Sequence, residues 1–174
     1  MYKLLSIDGR AYRLEYTIEA ALYTDCTQKL MDFWGKTFAV LTEEDLTKGM
    51  SNKGKNEARL KLLQESFSGI LNLPETAITV FYTGLLEYHG PSGDNTVQSL
   101  TDAKILIKEY FKEHSDDGTD NFYDLLSICM EQMEEDGFFK RTGLEKFMTL
   151  LQKQEETPKP NRATRRAIAK VSEK

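Results

Sequence analysis

No stretch of this sequence approaches the ~20 consecutive apolar residues that a membrane-crossing helix requires, so no membrane-spanning role is expected. Cysteine is nearly missing. Cys26 and Cys129 are the only two, each in an apolar helical context, and they are expected as reduced core thiols instead of a disulfide. A chain of 174 residues buries roughly two-thirds of its unfolded surface and needs neither disulfide nor metal to fold. Histidine is equally scarce. His89 and His114 have no second ligand type at metal spacing and are expected to be exposed loop or helix-end residues. A phosphate-cradling loop is missing too, because Gly49 to Lys55 lacks the P-loop spacing and the Ser/Thr that should follow. Asp116-Asp117-Gly118-Thr119-Asp120 begins like a calcium loop, but Phe122 and Tyr123 stand where ligands are needed. Ser6, Ser51, Ser66 and Ser127 carry no nucleophile motif. The expectation is a protein without catalytic residues, cofactor or metal. The N-terminal segment Met1 to Asp8 has no signal-peptide pattern, which points to the cytoplasm.

What is present is charge, unevenly spread. The chain holds 23 Lys+Arg and 28 Asp+Glu, a net of −5. From Glu155 onward there are six basic residues and three acidic ones. The preceding 154 residues therefore hold 17 basic and 25 acidic groups, a net of −8 beside a tail of +3. Such a division suggests an acidic folded body with an appended contact arm, and an acidic body is a poor clamp for nucleic acid. Residues 113–136 contain nine carboxylates and no Lys or Arg. That stretch reads either as a solvated face that keeps the body soluble or as a surface for a basic partner, the tail included.

Periodicity sets the fold class, which is α+β and mostly α-helical. Leu5, Ile7, Tyr12, Leu14 and Tyr16 alternate around Asp8-Gly9, which predicts a β-hairpin at 3–16 packed on several amphipathic helices. Thr17 is placed to cap a helix carrying Ala21, Leu22, Cys26 and Leu30 and running to Trp34-Gly35. A second helix start is expected at Thr42 to Leu46, followed by a polar loop at Ser51 to Asn56. Leu60, Leu63, Phe67, Ile70 and Leu71 form an apolar stripe. Leu73-Pro74 restarts the chain into a helix with Ile78, Phe81, Tyr82, Leu85 and Leu86, broken at His89 to Asp94. Further helices follow around Leu100 to Tyr110, around Phe122 to Met133 (capped by Thr119 or Asp120), and around Leu144 to Leu151. Pro158 and Pro160 separate a domain at 1–156 from a flexible basic tail at 157–174.

Four features then combine. They are the hairpin leading into Thr17-Ile18-Glu19-Ala20-Ala21-Leu22, the Leu-rich pair around Leu73-Pro74, the acidic helix ending in Gly137-Phe138-Phe139, and the Asn161-Arg162-Ala163-x-Arg165-Arg166-Ala167 tail. In this order they resemble the tail assembly chaperones of long-tailed bacteriophages, especially those of phages and prophages of Gram-positive bacteria. The resemblance implies a non-enzymatic protein that binds and solubilises the tape measure protein while the tail tube assembles, alongside tail components such as the tube protein. It further implies residence in the host bacterial cytoplasm, absence from the mature virion, and a longer form made by ribosomal frameshift. The expected partner-binding residues are Trp34, Phe138 and Phe139, together with Arg162, Arg165, Arg166 and Lys170 on the tail. The paired aromatics and the opposed charges of body and tail also suggest self-association. The alternative is a small nucleic-acid-binding or regulatory protein that uses the tail as a basic arm.

Overall fold

The computed structural model describes residues 2–37 and 51–146. The chain divides into two units, Met1–Phe138 and Phe139–Lys174. The expected helix start at Thr42 to Leu46, the residues Phe147, Met148 and Leu151, and the tail at 157–174 lie outside the described residues.

The first unit opens with the expected hairpin, β1 (Lys3–Ile7) paired antiparallel with β2 (Arg10–Leu14). Leu5 faces Tyr12 and Ile7 faces Arg10, so the two-residue turn is Asp8-Gly9. Both turn residues have positive φ, 51° and 68°, as the mirror-image turn that suits a twisted hairpin requires. Leu5, Ile7, Tyr12 and Leu14 are buried on one face, Leu4 is exposed on the other, and Arg10 is exposed beside the turn.

The single helix expected from Thr17 to Gly35 is two helices, α1 (Ile18–Leu22) and α2 (Thr24–Thr37). The break falls at Tyr23, whose ψ of 87° is not helical and whose ring meets Tyr82 edge-on at 5.7 Å. Tertiary packing of that ring overrides the helical pattern. Thr17 makes no side-chain cap, and Gly35 lies inside α2 instead of ending it.

The expected polar loop at Ser51 to Asn56 is instead the first turn of α3 (Asn52–Leu71). Ser51 caps it by accepting the Gly54 N–H, which offsets the weak helix propensity of glycine there. After Asn72 the chain turns into α4 (Leu73–His89), with Pro74 in the first turn as the sequence predicts.

Helix α4 is the centre of the unit, with eleven of its 17 residues buried, which marks a helix covered on every side. The hairpin, α1, α2, α5 (Leu100–Glu113) and α6 (Phe122–Glu135) all pack on it. Its buried Thr76, Thr79 and Thr83 hydroxyls donate to the carbonyls of Asn72, Glu75 and Thr79, so burial leaves none of them unpaired. Ser99 and Asp102 form a capping box at the start of α5. Asn121, and not Thr119 or Asp120, caps α6, because its extended backbone aims Oδ1 at the N–H groups of Tyr123 and Asp124. Gly137, at φ 68°, ends α6, and a last short helix, α7 (Phe138–Arg141), follows.

Candidate partner-binding site

Helix α3 is turned inside out relative to its sequence. Its apolar residues recur at three- and four-residue spacing and occupy one stripe about 100° wide. Such a stripe usually faces the core. Here Leu60, Leu63, Phe67, Ile70 and Leu71 are all exposed, Phe67 at 65% and Leu71 at 79%. The face that meets the rest of the unit is made of small and polar residues with one leucine. Leu62 and Gly69 are buried, Ala58 and Ser66 are half-buried, and Ser66 donates its hydroxyl to the Lys36 carbonyl of α2 at 3.1 Å. Helix α3 packs on α2 along this side. Five large apolar side chains on one exposed stripe are far more than a soluble surface carries by chance, and such patches mark contact sites.

Of the residues singled out from the sequence, Trp34, Phe138 and Phe139 fall among the described residues. Phe138 is fully buried, edge-on to Tyr16 with ring centroids 6.1 Å apart, so the ring offers no surface to a partner. Phe139 and Trp34 are half-buried. Arg162, Arg165, Arg166 and Lys170 lie outside the described residues.

Tyr16 is held at both its hydroxyl and its backbone. The Tyr16 hydroxyl donates to the Val80 carbonyl at 3.0 Å, and its backbone N–H donates to the Asp136 carboxylate at 2.8 Å. Burial first, then the nearby Cys129, pushes the phenol well above its usual value. Cys26 and Cys129 are free and buried, and burial raises each thiol to about 12. A thiol held so far above neutral pH is a poor nucleophile and a poor metal ligand. Among the described residues no cluster of His, Cys, Asp and Glu is placed to hold a metal ion, and no helix is long and apolar enough to cross a membrane.

His89 departs from the exposed helix-end residue expected. It ends α4 and is buried. Its Nε2 accepts the Arg13 backbone N–H at 2.9 Å, so Nδ1 carries the proton and donates to Asp94 at 2.9 Å. Both ring nitrogens are occupied by structural partners, which leaves no free base in this His–Asp pair. Comparison of the chain with protein-family models, with curated proteins and with solved structures returned no match.

The sequence reveals the α3 stripe but not its direction. The one local signal was on the other face of the helix, where Ala58, Ser66 and Gly69 are too small to build a core by themselves.

Proposed function

We propose that this protein is a non-enzymatic binder of apolar helices, and that its client is the tape measure protein of a long-tailed phage, as the resemblance of the sequence implies. The observation that carries the reading is the exposed α3 stripe, Leu60, Leu63, Phe67, Ile70 and Leu71. A helix of 20 residues is ~30 Å long, enough to lie along several turns of a partner helix. Apolar residues at this spacing match the way amphipathic helices pack side by side. A tape measure protein is a long helical rod whose apolar stripes stay uncovered until the tube closes around it. Chaperone copies lying along the rod would cover those stripes, while their acidic bodies keep the complex soluble. On this reading the protein works in the host bacterial cytoplasm and is released before the virion is complete. Other tail components, the tube protein among them, displace it.

The test is co-expression with the long helical protein encoded by a neighbouring gene. Phe67→Glu and Leu63→Glu are expected to abolish co-purification, because each places a charge in a contact that must be dry. Both side chains are exposed, so helicity and melting temperature stay at wild-type values. Retained binding in the double variant overturns α3 as the site. A neighbourhood without tube-protein and tape-measure genes overturns the choice of client.

A further inference from the structure

Helices α5 and α6 both lie on α4, and between them runs an apolar groove of about 480 Å³. Ile78 of α4 forms its floor, Ile107, Phe111 and Phe122 form its walls, and Ser115 and Asp120 also line it. One bank is charged. Lys104, Lys108 and Lys112 line the groove at four-residue spacing, which sets them in one row along α5. Lys112 is held by Glu109 at 2.7 Å, while Lys108 has no ion-pair partner among the described residues. An acidic body thus carries a local row of cations beside an apolar slot. This is a socket for an aromatic or aliphatic anchor flanked by carboxylates.

The same chain presents such a plug. Tyr123, on the outer side of α6, is 67% exposed, although its neighbour Phe122 is a wall of the groove. Two carboxylates stand near it on α6. Asp124 accepts the Asn121 side-chain amide at 2.6 Å, and Glu131, two turns on, has a side chain 71% exposed with Lys3 Nζ 3.5 Å away. No Lys or Arg interrupts residues 113–136.

We infer that two copies of the chain pair about a two-fold axis, with Tyr123 of each copy entering the α5–α6 groove of the other and the α6 carboxylates of each meeting the other's Lys104–Lys108–Lys112 row. The symmetry follows from placement. Tyr123 directly follows Phe122, a wall of the groove, so plug and socket adjoin and a single two-fold rotation can engage both at once and close the assembly as a dimer. Head-to-tail rings would need the two patches on separate faces. The pairing uses neither α3 nor the basic tail, and it stands whether or not the client is a tape measure protein.

Sedimentation or light scattering of the full-length chain across salt concentrations tests it. The expected result is a dimer at low salt that dissociates as salt screens the charges. Tyr123→Ala removes the anchor from both copies and weakens pairing by roughly a thousandfold, about thirtyfold for each anchor, and leaves the fold intact because the ring is exposed. Lys108→Glu and Glu131→Lys are each monomeric alone. Mixed in equal amounts they restore the dimer, since both halves of the mixed interface then join opposite charges. Phe67→Glu leaves pairing unchanged. A chain monomeric at low salt overturns the inference, and so does an oligomer indifferent to Tyr123→Ala or a mixture that fails to pair. If the monomer instead takes up an acidic amphipathic peptide through the lysine row, the groove serves a different protein and the pairing is likewise overturned.

Discussion

The Nε2 atom of His89 accepts the backbone N–H of Arg13 at 2.9 Å, which ties the end of α4 to the second strand of the hairpin. The bond also fixes the imidazole tautomer, because Nδ1 must then donate to Asp94. Asp94 accepts the Thr96 hydroxyl and backbone N–H as well, and these bonds, the hydroxyl's first, hold its carboxyl below the usual range. His89 acts here as the clasp between sheet and helix. Replacing His89 with Ala leaves the Arg13 N–H without its acceptor and opens a void beside Tyr12, whose ring lies 5.2 Å from the imidazole. The expected cost is about 2–3 kcal/mol of unfolding free energy, read by urea denaturation.

Gly84 marks where the chain leaving the hairpin crosses α4. Glu15 donates its N–H to the Gly84 carbonyl at 2.9 Å, and a Cβ on Gly84 would lie 2.5 Å from Leu14 Cδ1 and 2.6 Å from the Tyr16 ring. Both neighbours are fully buried and have nowhere to retreat. Gly84→Ala should therefore destabilise by roughly 1–3 kcal/mol, although alanine is the better helix former. A stability equal to or above wild type in thermal melts contradicts the close crossing.

Phe138 separates a core role from a binding role. Phe138→Ala removes a fully buried ring and is expected to cost about 3–5 kcal/mol. Any loss of partner binding should then track loss of near-ultraviolet circular dichroism. Phe67→Glu should lose binding with that signal intact.

The two core thiols give a pH signature. Their folded pKa values, raised to about 12, lie above the ~8.5 of an unfolded cysteine, so the folded chain holds protons that the unfolded chain releases. The associated stability is fully present below pH ~8.5 and declines as pH rises towards about 12, by roughly 1.4 kcal/mol per pH unit for each thiol. In native buffer both should resist Ellman's reagent and react only on unfolding. Fast labelling at neutral pH would contradict their burial.

The Ser99 capping box is local enough to isolate. Ser99→Ala removes the oxygen that accepts the Asp102 N–H and releases the Asp102 carboxylate from the Ser99 hydroxyl. The expected loss is about 1 kcal/mol, with amide exchange faster in the first turn of α5 only.

Local signals carried the parts of the fold that local chemistry decides. Asp8-Gly9 specified the hairpin because positive φ at two successive residues strongly favours such a pair. Leu73-Pro74 marked the start of α4 because proline has no N–H to lose there. The S-x-x-D of Ser99 and Asp102 before an apolar run is equally local, although it was not among the expected caps. The sequence also sufficed for the helical character, the charge division between body and tail, and the burial of Cys26 and Cys129. Those follow from spacing and composition alone.

Orientation was decided by the tertiary structure. Helical periodicity shows that Leu60, Leu63, Phe67, Ile70 and Leu71 share a face, yet the same spacing describes a face turned inward or outward. Packing of α3 against α2, where Ser66 donates to the Lys36 carbonyl, turned it outward. Packing likewise broke the helix at Tyr23, where an aromatic contact with Tyr82 outweighed a continuous pattern. It also carried Phe138 inward against Tyr16, since two adjacent aromatics leave their helix in different directions and only the neighbouring elements select which is buried. A sequence fixes which residues lie together along one element, but the side that meets water depends on partners distant in the chain.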